Sequence, residues 1–128
     1  MNHRELARDY FKKSNLSYNN ITMNDLYKLI QILNKKIADA GSCMLMINEP
    51  KLSGRNKSVK LSKDGKLVFA EIRVKGTYFD DREAITFNAD GYIGFCGWAD
   101  GYNLTPFVMG FKEWCDYLKL KLEIGHEV

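Results

Sequence analysis

This chain of 128 residues has no long apolar run: nothing in it approaches the ~20 consecutive apolar residues that a membrane-spanning helix requires. A spanning protein is therefore not expected. Proline occurs only twice, and the ten glycines show no collagen-like or linker-like period. Cysteine occurs three times, as Cys43, Cys96 and Cys115, an odd count without close spacing. That argues against a disulfide framework or a zinc knuckle and predicts reduced, buried thiols in a reducing cytoplasm. Histidine appears only at the extremes, His3 and His126, and no Gly-x-Ser-x-Gly elbow surrounds any serine. Nucleophilic catalysis needs a positioned base, so acyl-transfer chemistry is not expected.

Phosphate cradles are missing as well. Gly91, Gly94, Gly97 and Gly101 match neither Gly-x-Gly-x-x-Gly nor the P-loop, and no Gly-Lys-Ser/Thr occurs. Gly94 and Gly97 predict bulges, or places where the C-terminal helix comes close to a strand. The acidic run Asp80-Asp81-Arg82-Glu83 contains an arginine and lacks the spacing of a calcium loop, so it predicts a solvated turn entering a strand. Glu71 and Arg73 share one face of an alternating segment and predict a structural ion pair. Should the chain be an enzyme after all, Glu71 or Asp100 would be the carboxylate to inspect. The expectation is no enzyme, no cofactor and no metal.

What is present reads as one α+β domain over residues 1–128. Residues 3–14 predict a first helix, with Leu6, Tyr10 and Phe11 on one side and Arg8, Lys12 and Lys13 on the other. Thr22 followed three residues later by Asp25 is a helix-start signal close to the capping box. Leu26, Leu29, Ile30, Leu33 and Ile37 then form a single apolar stripe, with Gly41 as the stop. After that the period shortens. Residues 42–48, 57–62, 66–75, 83–88 and 92–98 predict five hairpin-linked strands, and the turns Asp64-Gly65 and Asp90-Gly91 accept the positive φ a tight hairpin needs. In residues 66–75, Val68, Ala70, Ile72 and Val74 alternate onto one face, Leu67, Phe69, Glu71 and Arg73 onto the other. Thr105 as cap and Pro106 at the first helical position open a last helix, with Phe107, Phe111, Trp114, Cys115 and Leu118 on its apolar side. The expectation is two N-terminal helices, an antiparallel meander of about five strands, and one C-terminal helix packed on the sheet.

The net charge of +3 hides a division. Up to Lys66 the chain has 13 basic and 6 acidic residues, net +7; from Leu67 on it has 6 basic and 10 acidic, net −4. The basic peak is Lys51, Arg55, Lys57, Lys60, Lys63 and Lys66, opposed there only by Asp64. Such a segment could follow a phosphate backbone or meet an acidic protein surface, and solvated edge lysines have the same composition. Nucleic-acid binders interleave stacking aromatics, and none falls between Lys51 and Lys66. Aromatic density comes later: Tyr78, Phe79, Trp98 and Tyr102 lie in or beside predicted turns rimmed by aspartates, the composition of interface anchors.

The segment DGYIGFCGWADGYNLTPFVMGFKEWCDYL, residues 90–118, resembles the strand-turn-helix ending of small uncharacterised bacteriophage or prophage accessory proteins, a group that includes anti-CRISPR inhibitors. The resemblance implies a compact α+β protein that blocks host defence machinery in the host cytoplasm. It transfers no functional residue, and the net positive charge departs from the acidic DNA-mimic inhibitors. Together these readings predict a non-enzymatic, surface-masking module. Its partner would be a larger host protein or ribonucleoprotein, with direct nucleic-acid binding as the alternative, no membrane, and a monomer or homodimer.

Overall fold

The computed structural model describes residues 3–39, 45–47, 59–76, 79–88, 91, 93–95 and 105–126. Helix α1 spans His3–Lys13, a 3-10 turn Tyr18–Asn20, and α2 Met23–Asp39. Five strands follow, β1 Leu45–Ile47, β2 Val59–Leu61, β3 Leu67–Gly76, β4 Phe79–Phe87 and β5 Ile93–Phe95, then α3, Thr105–His126. The α+β class and the order of helices, strands and final helix are those the sequence predicts.

The ends of the helices have local causes. Thr22 and Asp25 close a reciprocal cap. The Thr22 N–H and hydroxyl donate to Asp25 Oδ2 at 2.8 and 3.0 Å, and Thr22 Oγ1 accepts the Asp25 N–H at 3.4 Å. Orphan donors at the start of α2 are thereby satisfied. At the other end of the first helix, Asn15 takes φ +57°, a left-handed stop that asparagine tolerates.

The sheet is wholly antiparallel, but it is not the simple meander expected. Strands β2 to β5 are linked in sequence, whereas β1 pairs with β3 rather than with β2. β1 takes the end of β3 at Val74–Gly76, and β2 takes the beginning at Leu67–Ala70. β4 also begins earlier than residue 83. Gly76 pairs directly with Phe79, so Phe79, Asp80, Asp81 and Arg82 are strand residues and not turn residues. Register slips along β3–β4 accommodate this extra length, and such bulges bend and twist the strand that carries them.

A further slip, between β2 and β3, corrects the facing of β3. Lys60 pairs with Phe69 while Leu61 pairs with Leu67, which leaves Val68 unpaired. One extra residue reverses the alternation. Leu67 therefore turns into the core with Ala70 and Ile72, all three buried, and Val68 and Phe69 are only partly covered.

The helices cover one face of the sheet. Phe87 of β4 meets Trp114 at 5.7 Å and Phe111 at 6.3 Å between ring centroids, and Tyr18 edge-on at 5.7 Å. The predicted stripe of α2 is buried, as are Phe107, Phe111, Trp114, Cys115 and Leu118 of α3. α2 and α3 run antiparallel and approach closely at Gly110, where an added Cβ would stand 2.8 Å from Leu33 Cδ2. Gly97, one of the two glycines where a close helix approach was expected, lies outside the described residues; the approach at Gly110 is one the sequence did not announce. Asp25 fastens the other end of the pair. It is 1% exposed, receives Lys121 Nζ at 2.7 Å on Oδ1, and its carbonyl accepts Trp114 Nε1–H at 2.8 Å.

Candidate functional site

The basic segment is where the sequence locates a candidate site, and the described part of it is the β2–β3 hairpin. Gly65 takes φ +78° and its N–H donates to the Ser62 carbonyl at 3.0 Å, as a three-residue loop with a glycine bulge requires. Ser62 closes the turn twice more. Its N–H donates to the Lys66 carbonyl at 2.8 Å, and its hydroxyl accepts the Lys66 N–H at 3.2 Å. Gly91 repeats the device, with φ +88° and its N–H on the Asn88 carbonyl at 2.9 Å.

The hairpin base is held to the core. Val59 and Leu67 are buried, and the Leu67 N–H donates to the Ile21 carbonyl at 2.9 Å. From that base Lys60 and Lys63 extend exposed and Lys66 half-exposed. Among the described residues none of the three has a carboxylate within 4 Å. Lys51, Arg55 and Lys57 lie outside the described residues, as do Tyr78, Trp98 and Tyr102. Phe79, expected beside a turn, opens β4 opposite Gly76.

The strand register adds a residue that sequence reasoning missed. Lys60 is paired with Phe69, so a partly exposed aromatic stands across from an exposed lysine on the face away from the helices. Directly opposed side chains on a sheet are within contact range. Phe69 lies beyond Lys66 in sequence, but a hairpin centred on Asp64-Gly65 brings residues beyond the turn back beside those before it. On the same face Arg73 Nη1 donates to Glu71 Oε2 at 3.0 Å, the predicted pair. Both side chains are partly exposed, so the pair contributes little stability.

A concavity of about 170 Å³ lies between α1 and α3 and is lined by Tyr10, Lys13, Ser14, Lys112, Cys115, Asp116 and Lys119. Its cations are partly engaged: Lys13 bridges Asp9 at 2.9 Å, and Lys112 Nζ sits 5.7 Å from the Tyr10 ring centre. Asp9 raises the Lys13 pKa. Cys115 is buried and reduced at the floor. Burial first, then Asp116, pushes its thiol up to about 12, against a lowering hydrogen bond from Ser14. Such a thiol is a poor nucleophile at neutral pH. Cys43, Cys96 and Asp100 lie outside the described residues.

Among the described residues no helix is long and apolar enough to cross a membrane, and no group of three or more His, Cys, Asp and Glu gathers as a metal site. Compared with protein-family models, with curated proteins and with solved structures, the chain matches none.

Proposed function

We propose that this chain is a non-enzymatic binding module that masks a surface of a larger protein or ribonucleoprotein, with the basic hairpin as its principal contact. The carrying observation is the display of Lys60, Lys63 and Lys66 on a loop whose base is pinned to the core. Charges held on a rigid support lose less conformational freedom on binding, and among the described residues these three have no carboxylate within 4 Å to compete with another molecule. The resemblance of residues 90–118 to phage and prophage accessory proteins supplies the biological class, an inhibitor of host defence of the anti-CRISPR kind acting in the host cytoplasm. Of the aromatic part of the expected surface, Tyr78, Phe79, Trp98 and Tyr102, Phe79 opens β4 and the other three lie outside the described residues.

The test is a reversal of charge. A tagged chain captures its partner from a bacterial lysate, the partner is identified and purified, and affinity is measured by calorimetry. Lys60→Glu with Lys63→Glu and Lys66→Glu is expected to lose binding while melting at nearly the native temperature. Undiminished affinity in that variant overturns the reading.

A specific observation favours a second reading, direct nucleic-acid binding. Phe69 supplies, across the hairpin, the aromatic that the basic segment lacks in sequence. A salt-dependent shift of plain DNA or RNA on a gel separates it from the first.

A further inference from the structure

The face of the sheet away from the helices carries charge and an aromatic in an arrangement with a definite chemical counterpart. Phe69 sits on β3, the strand bonded on both sides, by β4 along one edge and by β1 and β2 along the other. It is partly exposed there, beside the unpaired and partly exposed Val68, while Leu67 and Ala70 on either side of these two are buried and hold the backbone in place. Lys60 is its cross-strand partner and is exposed. Lys63 and Lys66 continue the positive charge towards the hairpin tip. The one carboxylate on this face whose side chain is described, Glu71, is held by Arg73 at 3.0 Å, so it does not oppose an anion approaching Lys60.

We propose that this face binds single-stranded nucleic acid, with an unpaired base stacked on Phe69 and the adjoining phosphates running over Lys60 towards Lys63 and Lys66. The inference rests on the second reading above and narrows it to a strand type and a stacking residue. An aromatic ring on a sheet offers a π-face to any base, and nearby lysines neutralise the backbone without regard to sequence. A duplex keeps its bases stacked on one another and offers the ring nothing, so it is the disfavoured form. An acidic protein would engage the lysines but not require the ring.

The probes are fluorescein-labelled oligothymidylate and oligouridylate, the same sequence as duplex, and polyglutamate, titrated at low salt with the intact chain and followed by anisotropy. The single strands are expected to bind more tightly than the duplex and than polyglutamate. Phe69→Leu keeps the apolar bulk and removes the π-face, and should weaken single-strand binding roughly 5- to 150-fold. Phe69→Trp should preserve or improve it. Reversing Lys60, Lys63 and Lys66 should flatten the logarithmic salt dependence by about 2, at ~0.7 per phosphate contact. Photocrosslinking with bromouridine, mapped by mass spectrometry, gives an answer from the unaltered chain, and a crosslink on Phe69 is expected.

Single-strand binding unaffected by Phe69→Leu in a folded variant overturns the proposal, as does a crosslink pattern that avoids Phe69, or polyglutamate binding as tightly as the oligonucleotides. No binding of any oligonucleotide at low salt overturns it together with the nucleic-acid reading. In that case a charge-reversed hairpin that still loses a captured protein partner leaves the masking function standing.

Discussion

Two sets of charges on this molecule are deployed in opposite ways. At the α2–α3 seam, Asp25 is almost fully buried and every polar atom at hand has a use: Oδ2 caps the helix, Oδ1 holds Lys121, and the carbonyl takes the Trp114 indole. On the β2–β3 hairpin, Lys60, Lys63 and Lys66 project from a pinned base, with Asp64 in the same turn but no carboxylate within 4 Å of them among the described residues. A charge removed from water must be paid for by partners, so the seam's charge belongs to the fold. A charge left in water contributes almost nothing to the fold and is available for recognition. Changing the seam should therefore alter stability, and changing the hairpin should alter binding.

The largest expected effect is at the seam's ring. Trp114→Ala removes a fully buried indole packed on Phe87 and Phe111 and should cost about 3–5 kcal/mol, read as a lowered denaturant midpoint. Asp25→Ala should cost about 2 kcal/mol: it loses a cap worth ~1 kcal/mol, and Lys121, at 44% exposed, is released towards solvent rather than stranded. If Asp25→Ala melts like the native chain, the seam's charge is not structural and the contrast collapses.

Alkali probes the same helix by another route. The Cys115 thiol is raised by burial from its ordinary 9.0 to about 12, so the unfolded chain gives up its proton first. Stability is whole below pH 9 and is lost as pH rises towards 12, by up to about 1.4 kcal/mol per pH unit. Cys115→Ala should flatten that alkaline fall, and a thiol reagent at neutral pH should react with Cys115 only as the fold opens. The smallest stability effect is expected at the hairpin, where each lysine reversal should stay within about 0.5 kcal/mol by thermal melting. A large loss there would mean the lysines support the fold and would remove the basis of the proposed function.

What was legible in the sequence was local. Thr22 with Asp25, the stripe from Leu26 to Ile37 and the Asp64-Gly65 turn each state their structure within a few residues, and each formed as read. What was illegible depended on distance or on a single inserted residue. Lys121 reaches Asp25 from 96 positions away, and nothing near either residue announces the other. The unpaired Val68 turns Leu67 inward against its alternation, because the pull of buried area outweighs a regular ladder. The aspartates at 80 and 81 look like turn residues by composition, yet pairing with β3 carries the strand through them. The candidate site follows the same division. Its lysines are plain in the text, while Phe69 joins them only through register.

The hydrogen bond from Trp114 to the Asp25 carbonyl makes the chain its own optical gauge. Only two tryptophans are present, Trp98 and Trp114, so Trp98→Phe leaves one emitter. That emitter touches both helices of the seam and the Phe87 ring of the sheet at once. Its emission colour should report, without any added dye, the moment at which helices and sheet part company. Titrating a ligand onto the hairpin while watching this ring would show whether occupancy there is felt in the core.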